Sequence, residues 1–147
     1  MKHIIGLLVI FVSLAVYGAV ALAQQPKKLA RICYLGSTSS SKTINPIRER
    51  LRQLGHIEGQ NITIEYRYFE GKVERLPDLA TELVRLNCDV ILTAGSEAAA
   101  AAKNATKTIP VVMAFGADAV RLGIVAELAR PGGNITGLTD MGAQLYG

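Results

Sequence analysis

Residues 90–102, VILTAGSEAAAAA, decide the fold class. The apolar run Val90–Thr93 is typical of a short strand buried on both faces, and Gly95 marks its end. Ser96 has the chemistry of a helix N-cap, Glu97 suits the positive N-terminal end of a helix, and the alanines that follow let that helix pack closely on a sheet. A buried strand followed at once by a helix predicts an α/β protein with a parallel sheet.

The alternation of strand and helix continues in both directions from this stretch. Further strands are expected at Leu29–Gly36, Ile62–Phe69, Val111–Phe115 and Ile135–Leu138. Helices are expected from Asn45 and Pro46 to Gly55, from Leu76 to Leu86, and from Val120 to Leu128. Apolar and polar side chains alternate along Ile62–Phe69, which predicts an edge strand. The predicted fold is a three-layer α/β lobe of the flavodoxin or Rossmann type, with strand order 2-1-3-4-5.

The charge pattern argues against nucleic-acid binding. The 147-residue chain contains 16 basic and 12 acidic side chains and carries a formal net charge of +4. The basic residues are scattered among acidic ones, as in Arg48-Glu49-Arg50, and no aromatic residues alternate with a basic run.

The N-terminal segment has the pattern of a secretory signal peptide. Lys2 and His3 form a basic start, Ile4–Val20 is an almost unbroken apolar run, and Ala21-Leu22-Ala23 provides the small residues that signal peptidase requires. Cleavage before Gln24 is expected, which divides the chain into a signal peptide at 1–23 and one α/β lobe at 24–147. The alternative is an uncleaved membrane anchor, since the apolar run approaches the length of ~20 residues that a bilayer needs.

The two cysteines, Cys33 and Cys88, are expected to be buried free thiols. An exported protein with an even number of cysteines invites a disulfide. Aligning the first and third strands at Gly36 and Gly95, however, offsets the two cysteines by about four residues, or ~13 Å at the rise of a strand. That separation is too large for a disulfide.

The predicted ligand site lies in three loops at the carboxyl edge of the sheet, near the change in strand order. The loop after the first strand offers the hydroxyls of Ser37, Thr38 and Ser39. The loop after the third strand, Gly95-Ser96-Glu97, offers backbone N–H groups at a helix N-terminus and a hydroxyl, which suit a carboxylate or phosphate. Asp118, after the fourth strand, suits an ammonium group. Together they fit a small zwitterion, although capping serines and serine loops also occur as purely structural features of α/β proteins.

No catalytic or cofactor motif is found in the sequence. The residues around Ser96 lack the G-x-S-x-G frame of a nucleophile elbow, and His56, the one histidine outside the leader, falls in a turn at the opposite end of the sheet. The first strand is not followed by G-x-G-x-x-G, and no Cys/His cluster has metal-ligand spacing. We therefore expect a protein that is not an enzyme and uses neither a cofactor nor a metal.

Several strings resemble a family of bacterial ABC-transporter substrate-binding proteins. The most distinctive is LGHIEGQNITIEYR at residues 54–67, which is similar to the LGY-x-EG-x-N-I-x-I-E-Y-R stretch of that family. The others are LPDLA at 76–80, DVI at 89–91, ATKTIPVV at 105–112 and LARPGGNITG at 128–137. The resemblance extends from about Arg31 to Leu138.

The resemblance implies a type-I periplasmic-binding-protein fold, in which two α/β lobes close on a small solute, in some relatives an aromatic amino acid. It also implies delivery of the solute to an ABC permease in the inner membrane, a location outside the cytoplasm, and no enzymatic activity. This chain corresponds to the N-terminal lobe, and the second lobe is expected to be absent from it. It departs from the family pattern at Ala119, where Pro is usual, and at Arg121, where a small residue is common, so the resemblance does not name the solute.

Two other functions fit the same pattern. The fold is reused in the extracellular sensor domains of membrane receptors. A membrane-spanning helix beyond a second lobe would identify such a receptor. A secreted hydrolase is the other alternative, and a hydrolytic activity lost on Ser96→Ala would support it.

Overall fold

The predicted sheet is confirmed in a computed structural model of the chain, which describes residues 29–39 and 41–140. Five parallel strands pair in the order β2-β1-β3-β4-β5. The strands are β1 Ala30–Gly36, β2 Ile62–Tyr68, β3 Val90–Ala94, β4 Val111–Phe115 and β5 Ile135–Gly137. The helices are α1 Ser41–Gln53, α2 Leu76–Arg85 and α3 Ser96–Ala105, with a 3-10 turn at Val73–Arg75 before α2. Within the described ranges, no helix has both the length and the apolar content needed to cross a bilayer.

The larger core lies between the sheet and helices α2 and α3. The side chains of Leu35, Ile91 and Val111 point from three adjacent strands into this layer and are fully buried. Helix α3 meets the sheet through small side chains, because Ala98 and Ala99 are also fully buried. The alanine run therefore forms the face of α3 that packs into this core.

A smaller aromatic core lies on the opposite face, under α1. The ring of Tyr34 is buried and meets the rings of Tyr66 and Tyr68 edge-on, at centroid distances of 6.0 Å to each. Ile44 of α1 is buried in the same cluster. These contacts explain the alternation along β2, whose other face carries Arg67 at 2.7 Å from Glu82 of α2.

The edge position predicted for β2 is confirmed, and part of its outer edge is already hydrogen-bonded. Phe69 donates its N–H inward to the Gly36 carbonyl, so the backbone groups of Tyr66 and Ile62 face away from β1. The Tyr66 carbonyl accepts a hydrogen bond from Arg67 Nη1 at 2.8 Å, and the Ile62 carbonyl accepts one from the Gly59 N–H at 2.9 Å.

Helix α1 begins at Ser41, earlier than the Asn45-Pro46 start that the sequence predicts. Pro46 therefore lies inside the helix, where its missing N–H leaves only the Lys42 carbonyl without its usual partner. Ile44, which precedes Pro46, is buried against the sheet. Its burial offsets the lost hydrogen bond, which explains why the helix extends upstream of the proline.

The helix predicted from Val120 to Leu128 is wrong, because the segment forms turns as far as Gly123 and bends or irregular backbone after it. Gly123 has a φ of +65°, a left-handed conformation that interrupts a right-handed helix. Ile124 donates its N–H to the Ala119 carbonyl five residues back instead of four. Ile124 and Val125 are nevertheless buried in the larger core, so the apolar pattern reflects burial without helical periodicity.

The expectation of two free thiols is also wrong: Cys33 and Cys88 form a disulfide, with their Cα atoms 5.9 Å apart. The predicted offset placed Cys88 before the start of the neighbouring strand but extended the straight line of that strand back to it. Cys33 pairs with Ile91 in the sheet, whereas Cys88 lies outside β3, in the turn that follows α2. The chain enters the sheet from the helix layer at this turn, where Asn87 has a φ of +53°. Cys88 therefore approaches Cys33 from above the sheet.

Replacing Thr93 with Val is expected to stabilise the protein. The Oγ1 of this fully buried residue has no hydrogen-bond partner among the described residues, and an unsatisfied buried hydroxyl costs free energy. We expect Thr93→Val to raise the free energy of unfolding by about 1 kcal/mol in urea denaturation.

Thr106→Val is the matched control, because the Thr106 Oγ1 accepts hydrogen bonds from the Thr108 and Ile109 N–H groups. The same substitution there should lower the free energy of unfolding by about 1–2 kcal/mol. If both variants lost the same amount of unfolding free energy, the Thr93 hydroxyl would not be an unsatisfied group.

Reducing the Cys33–Cys88 disulfide is expected to destabilise the fold strongly. The two cysteines are 55 residues apart, and a cross-link over that span lowers the entropy of the unfolded chain by an amount equivalent to about 4 kcal/mol at 25 °C. Dithiothreitol should therefore lower the urea midpoint of the native chain, and it should leave a Cys33→Ala/Cys88→Ala variant unaffected. Two titratable thiols in the unreduced, unfolded protein would show that the bond is not formed.

Candidate functional site

A cavity of about 570 Å³ opens at the carboxyl ends of β3, β4 and β5. Parallel pairing places the loops that follow these strands at one edge of the sheet. The cavity is lined by three short segments, Gly95–Glu97 after β3, Ala114–Ala117 around the end of β4, and Leu138–Asp140 after β5. The predicted loop Gly95–Glu97 therefore meets Gly116 and Ala117, which precede the predicted Asp118, at one surface.

Ser96 joins two of these loops. Its Oγ accepts a hydrogen bond from the Ala117 N–H at 2.8 Å and donates one to the Ala117 carbonyl at 3.1 Å. Gly116 keeps the loops close, because a Cβ there would lie only 2.9 Å from Ser96 Oγ. The Ser96 hydroxyl thus holds the β4 loop against the start of α3.

The predicted N-cap role of Ser96 is wrong, since Gly95 occupies the N-cap position of α3. Gly95 has a φ of +104°, and its carbonyl accepts the first helical hydrogen bond from the Ala99 N–H at 3.1 Å. Among the described residues no side chain caps this helix with a hydrogen bond, so its first N–H groups keep their potential to bind an anion.

Asp118 lies next to the cavity without lining it. Its side chain is only 9% exposed, and both oxygens contact Arg121: Oδ1 accepts from the Arg121 N–H at 3.1 Å and Oδ2 from Nε at 3.0 Å. A ligand ammonium would have to compete with this guanidinium. Binding of a ligand by Asp118 stays a prediction.

The hydroxyl loop after β1 is at the same edge of the sheet but is not part of the cavity wall. Ser37, Thr38 and Ser39 are all exposed. The Ser37 carbonyl accepts a hydrogen bond from the Glu70 N–H at 2.7 Å, which fixes the start of the loop against the end of β2. The role of these three residues in ligand binding also stays a prediction.

Two apolar residues of the cavity wall are missed by the sequence analysis. Phe115 is predicted to end a buried strand, but its side chain is 50% exposed, and Leu138 is 71% exposed. Both lie at the carboxyl ends of their strands, beyond the helices that cover the sheet. Their position could have indicated this exposure, because each is the last residue of a predicted strand and therefore lies at the ligand edge of the sheet.

The charged side chains on the described part of the cavity wall are acidic. Glu97 and Asp140 contribute carboxylates, and no Lys, Arg or His is among the described lining residues. Together with Phe115 and Leu138, they give the cavity an apolar wall and a negative charge.

A second cavity, of about 410 Å³, lies between α1 and the start of β2, away from every predicted site residue. Its charged groups are paired with one another, as in the contact of 2.9 Å between Arg48 and Glu58. Glu58 also accepts the Tyr66 hydroxyl, and burial, followed by the Glu58 charge, raises the pKa of Tyr66 to about 12. His56 lines this second cavity, so the structure does not bring it to Ser96.

Two solved structures share the fold over most of the chain. A conserved domain protein from Vibrio cholerae O1 biovar El Tor strain N16961 has a TM-score of 0.73 and 30% identity, over 77% of this chain and 39% of its own. The ABC domain from Streptococcus pneumoniae in complex with L-Trp has a TM-score of 0.66 and 26% identity, with the same coverage of 77% and 39%.

Sequence comparison leads to the same group of proteins. The tyrosine-binding protein of Clostridioides difficile strain R20291 is 34% identical over 90 residues, which are 61% of this chain and 26% of that relative. The chain thus spans about a quarter of this curated relative and two-fifths of the solved ones. The sequence model of a family described as ABC transporter substrate binding protein matches residues 28–144. Since the match covers most of the sequence, the chain belongs to the family of ABC transporter substrate-binding proteins.

Proposed function

We propose that this chain is the N-terminal lobe of an exported protein that captures an amino acid with an aromatic side chain and delivers it to an ABC permease. The observation that carries the proposal is the cavity at the carboxyl edge of the sheet, which exposes Phe115 and Leu138 beside polar and charged groups. The relatives support the solute class, because one is named tyrosine-binding and another was solved with L-Trp.

The geometry of the cavity favours a solute with an apolar body. Half of the Phe115 side chain and most of the Leu138 side chain are in contact with water, so covering them on binding is favourable. Ligand sites typically combine such apolar walls with a few polar groups that set orientation. Here the polar groups are the uncapped start of α3 and the carboxylates of Glu97 and Asp140.

Capture without catalysis is the activity that suits these groups. The Ser96 hydroxyl is bonded to both backbone groups of Ala117, and His56 lines the other cavity. A serine nucleophile needs an adjacent base within hydrogen-bond reach, and His56 is not placed to supply one. This favours binding over the hydrolase alternative.

The disulfide supports export. Bonds such as Cys33–Cys88 form and persist in oxidising compartments and are rare in the cytosol. Residues 1–23, which the sequence predicts to be a signal peptide, lie outside the described residues. A disulfide in the folded lobe therefore supports the proposed location independently of the N-terminal sequence.

Phe115→Ala is expected to weaken binding of an aromatic amino acid. When L-tryptophan is titrated into the disulfide-bonded chain, the amide NMR signals of Gly95, Gly116 and Leu138 should shift. Loss of the apolar surface that Phe115 buries should lower the binding free energy by about 1 kcal/mol, which corresponds to a roughly five-fold weaker affinity.

Leu54→Ala is the matched control, because Leu54 is also an exposed apolar residue but lies outside the cavity. The Leu54→Ala variant should bind L-tryptophan with the same affinity as the native chain. Signals that shift only around the α1–β2 cavity would contradict the proposed site.

Expression of the whole chain in a bacterium is expected to yield a periplasmic protein that begins at Gln24. Small residues at Ala21 and Ala23 direct the cut, so Ala23→Lys should block it and leave the apolar segment attached. N-terminal sequencing of the periplasmic and membrane fractions measures both results. A native chain that retains residues 1–23 in the membrane would support the anchor instead.

A further inference from the structure

We infer that Arg31 is a positioning residue for the disulfide between Cys33 and Cys88. Its contacts hold the turn that follows α2 in place before the two sulfur atoms join, so the bond opens and closes reversibly on a sheet that is already paired. The inference concerns the edge of the sheet opposite the cavity, and it does not depend on which solute the lobe captures.

Arg31 and Cys33 point to the same face of the sheet. They are two residues apart in β1, and alternate residues of a strand share a face. Cys33 is fully buried in the larger core, under α2 and α3. The side chain of Arg31 therefore extends towards the helix layer from which Cys88 approaches.

The guanidinium of Arg31 binds the end of α2. Its Nη1 donates a hydrogen bond to the Leu86 carbonyl at 2.5 Å. Carbonyl groups at the end of a helix lack partners within the helix, and a cation there also interacts favourably with the helix dipole. This contact fixes the point at which the chain leaves α2, two residues before Cys88.

The backbone of Arg31 binds the residue on the other side of Cys88. The Arg31 N–H donates to Asp89 Oδ2 at 2.7 Å, and the Asp89 N–H donates to the Arg31 carbonyl at 2.9 Å. A hydrogen bond to a carboxylate is roughly twice as strong as one between neutral groups. Cys88 is thus held from both sides by contacts that involve no sulfur atom.

The position of Cys88 also suits a free thiol. The residue is only 6% exposed, and its Sγ lies 3.0 Å from the Leu83 carbonyl, which can accept a hydrogen bond from the S–H that reduction creates. A buried polar group with a partner avoids the free-energy cost of an unsatisfied one. Reduction therefore leaves Cys88 in place, opposite Cys33.

Formation of the bond transfers two electrons to an external disulfide such as glutathione disulfide. One protein thiolate attacks it and releases one glutathione, and the second protein thiolate displaces the other glutathione from the mixed disulfide. The two cysteine thiols lose two electrons and two protons, and two glutathione thiols are formed. Because the second step is intramolecular, its equilibrium depends on how well Cys88 is held opposite Cys33.

A redox titration measures this positioning as the effective concentration of the two thiols. The chain is equilibrated without denaturant in mixtures of glutathione and glutathione disulfide, and its free thiols are alkylated and counted by mass spectrometry. We expect Arg31→Met and Asp89→Ala each to lower the effective concentration roughly ten-fold, the effect of one lost hydrogen bond to a charged group.

Asp78→Ala is the matched control for Asp89→Ala. It removes a carboxylate from the first turn of α2, where the helix dipole makes a negative charge stabilising, and it leaves the turn after the helix intact. This variant should lower the free energy of unfolding without changing the effective concentration of the thiols. A merely structural role of Arg31 and Asp89 would give the same result as the control.

The amide of Asp89 provides a second measurement. In the reduced native chain its hydrogen exchange should stay slow, because the Arg31 carbonyl accepts this N–H whether or not the sulfur atoms are joined. Exchange at the rate of an unstructured peptide would overturn the inference. So would an unchanged effective concentration in either Arg31→Met or Asp89→Ala, or an equal decrease in Asp78→Ala. These results leave the proposed function to be judged separately, by the titrations of the cavity.

Discussion

Parallel pairing of β3 with β1 and β4 is the constraint on which the rest of the structure depends. Ile91 is opposite Cys33 on one side and Val111 on the other, and this register brings the three strands to the same edge of the sheet. The loops after β3 and β4 must therefore lie side by side, although Ser96 and Ala117 are 21 residues apart. Their hydrogen bonds and the cavity beside them follow from that register.

Much of the fold was predictable because it depends on local patterns. The strand Val111–Phe115 has its predicted bounds, and strand order follows from the alternation of strands and helices. The errors occur where burial and backbone conformation compete with the pattern. Burial of Ile44 extends α1 past a proline, and the left-handed Gly123 breaks a segment whose apolar spacing is typical of a helix.

The candidate site was predictable in position but only partly in detail. The rule for parallel sheets correctly indicates Gly95–Glu97 as part of a cavity. The hydrogen-bond, ion-pair and disulfide partners of individual side chains depend on distant residues or on the exact backbone conformation of a turn. A local sequence pattern contains neither. Ser96 bonds to Ala117 instead of capping its helix, Asp118 binds Arg121, and Cys88 reaches Cys33 from the helix layer.

The hydrogen bonds on the outer side of β2 have a consequence for the behaviour of the protein at high concentration. An edge strand with open backbone groups is a template on which other chains add strands and aggregate. Arg67 covers the outward Tyr66 carbonyl, and the Gly59 N–H covers that of Ile62, so an incoming strand meets blocked acceptors and a charged side chain. The same arginine that fastens β2 to α2 therefore also opposes the addition of a strand from a neighbouring molecule.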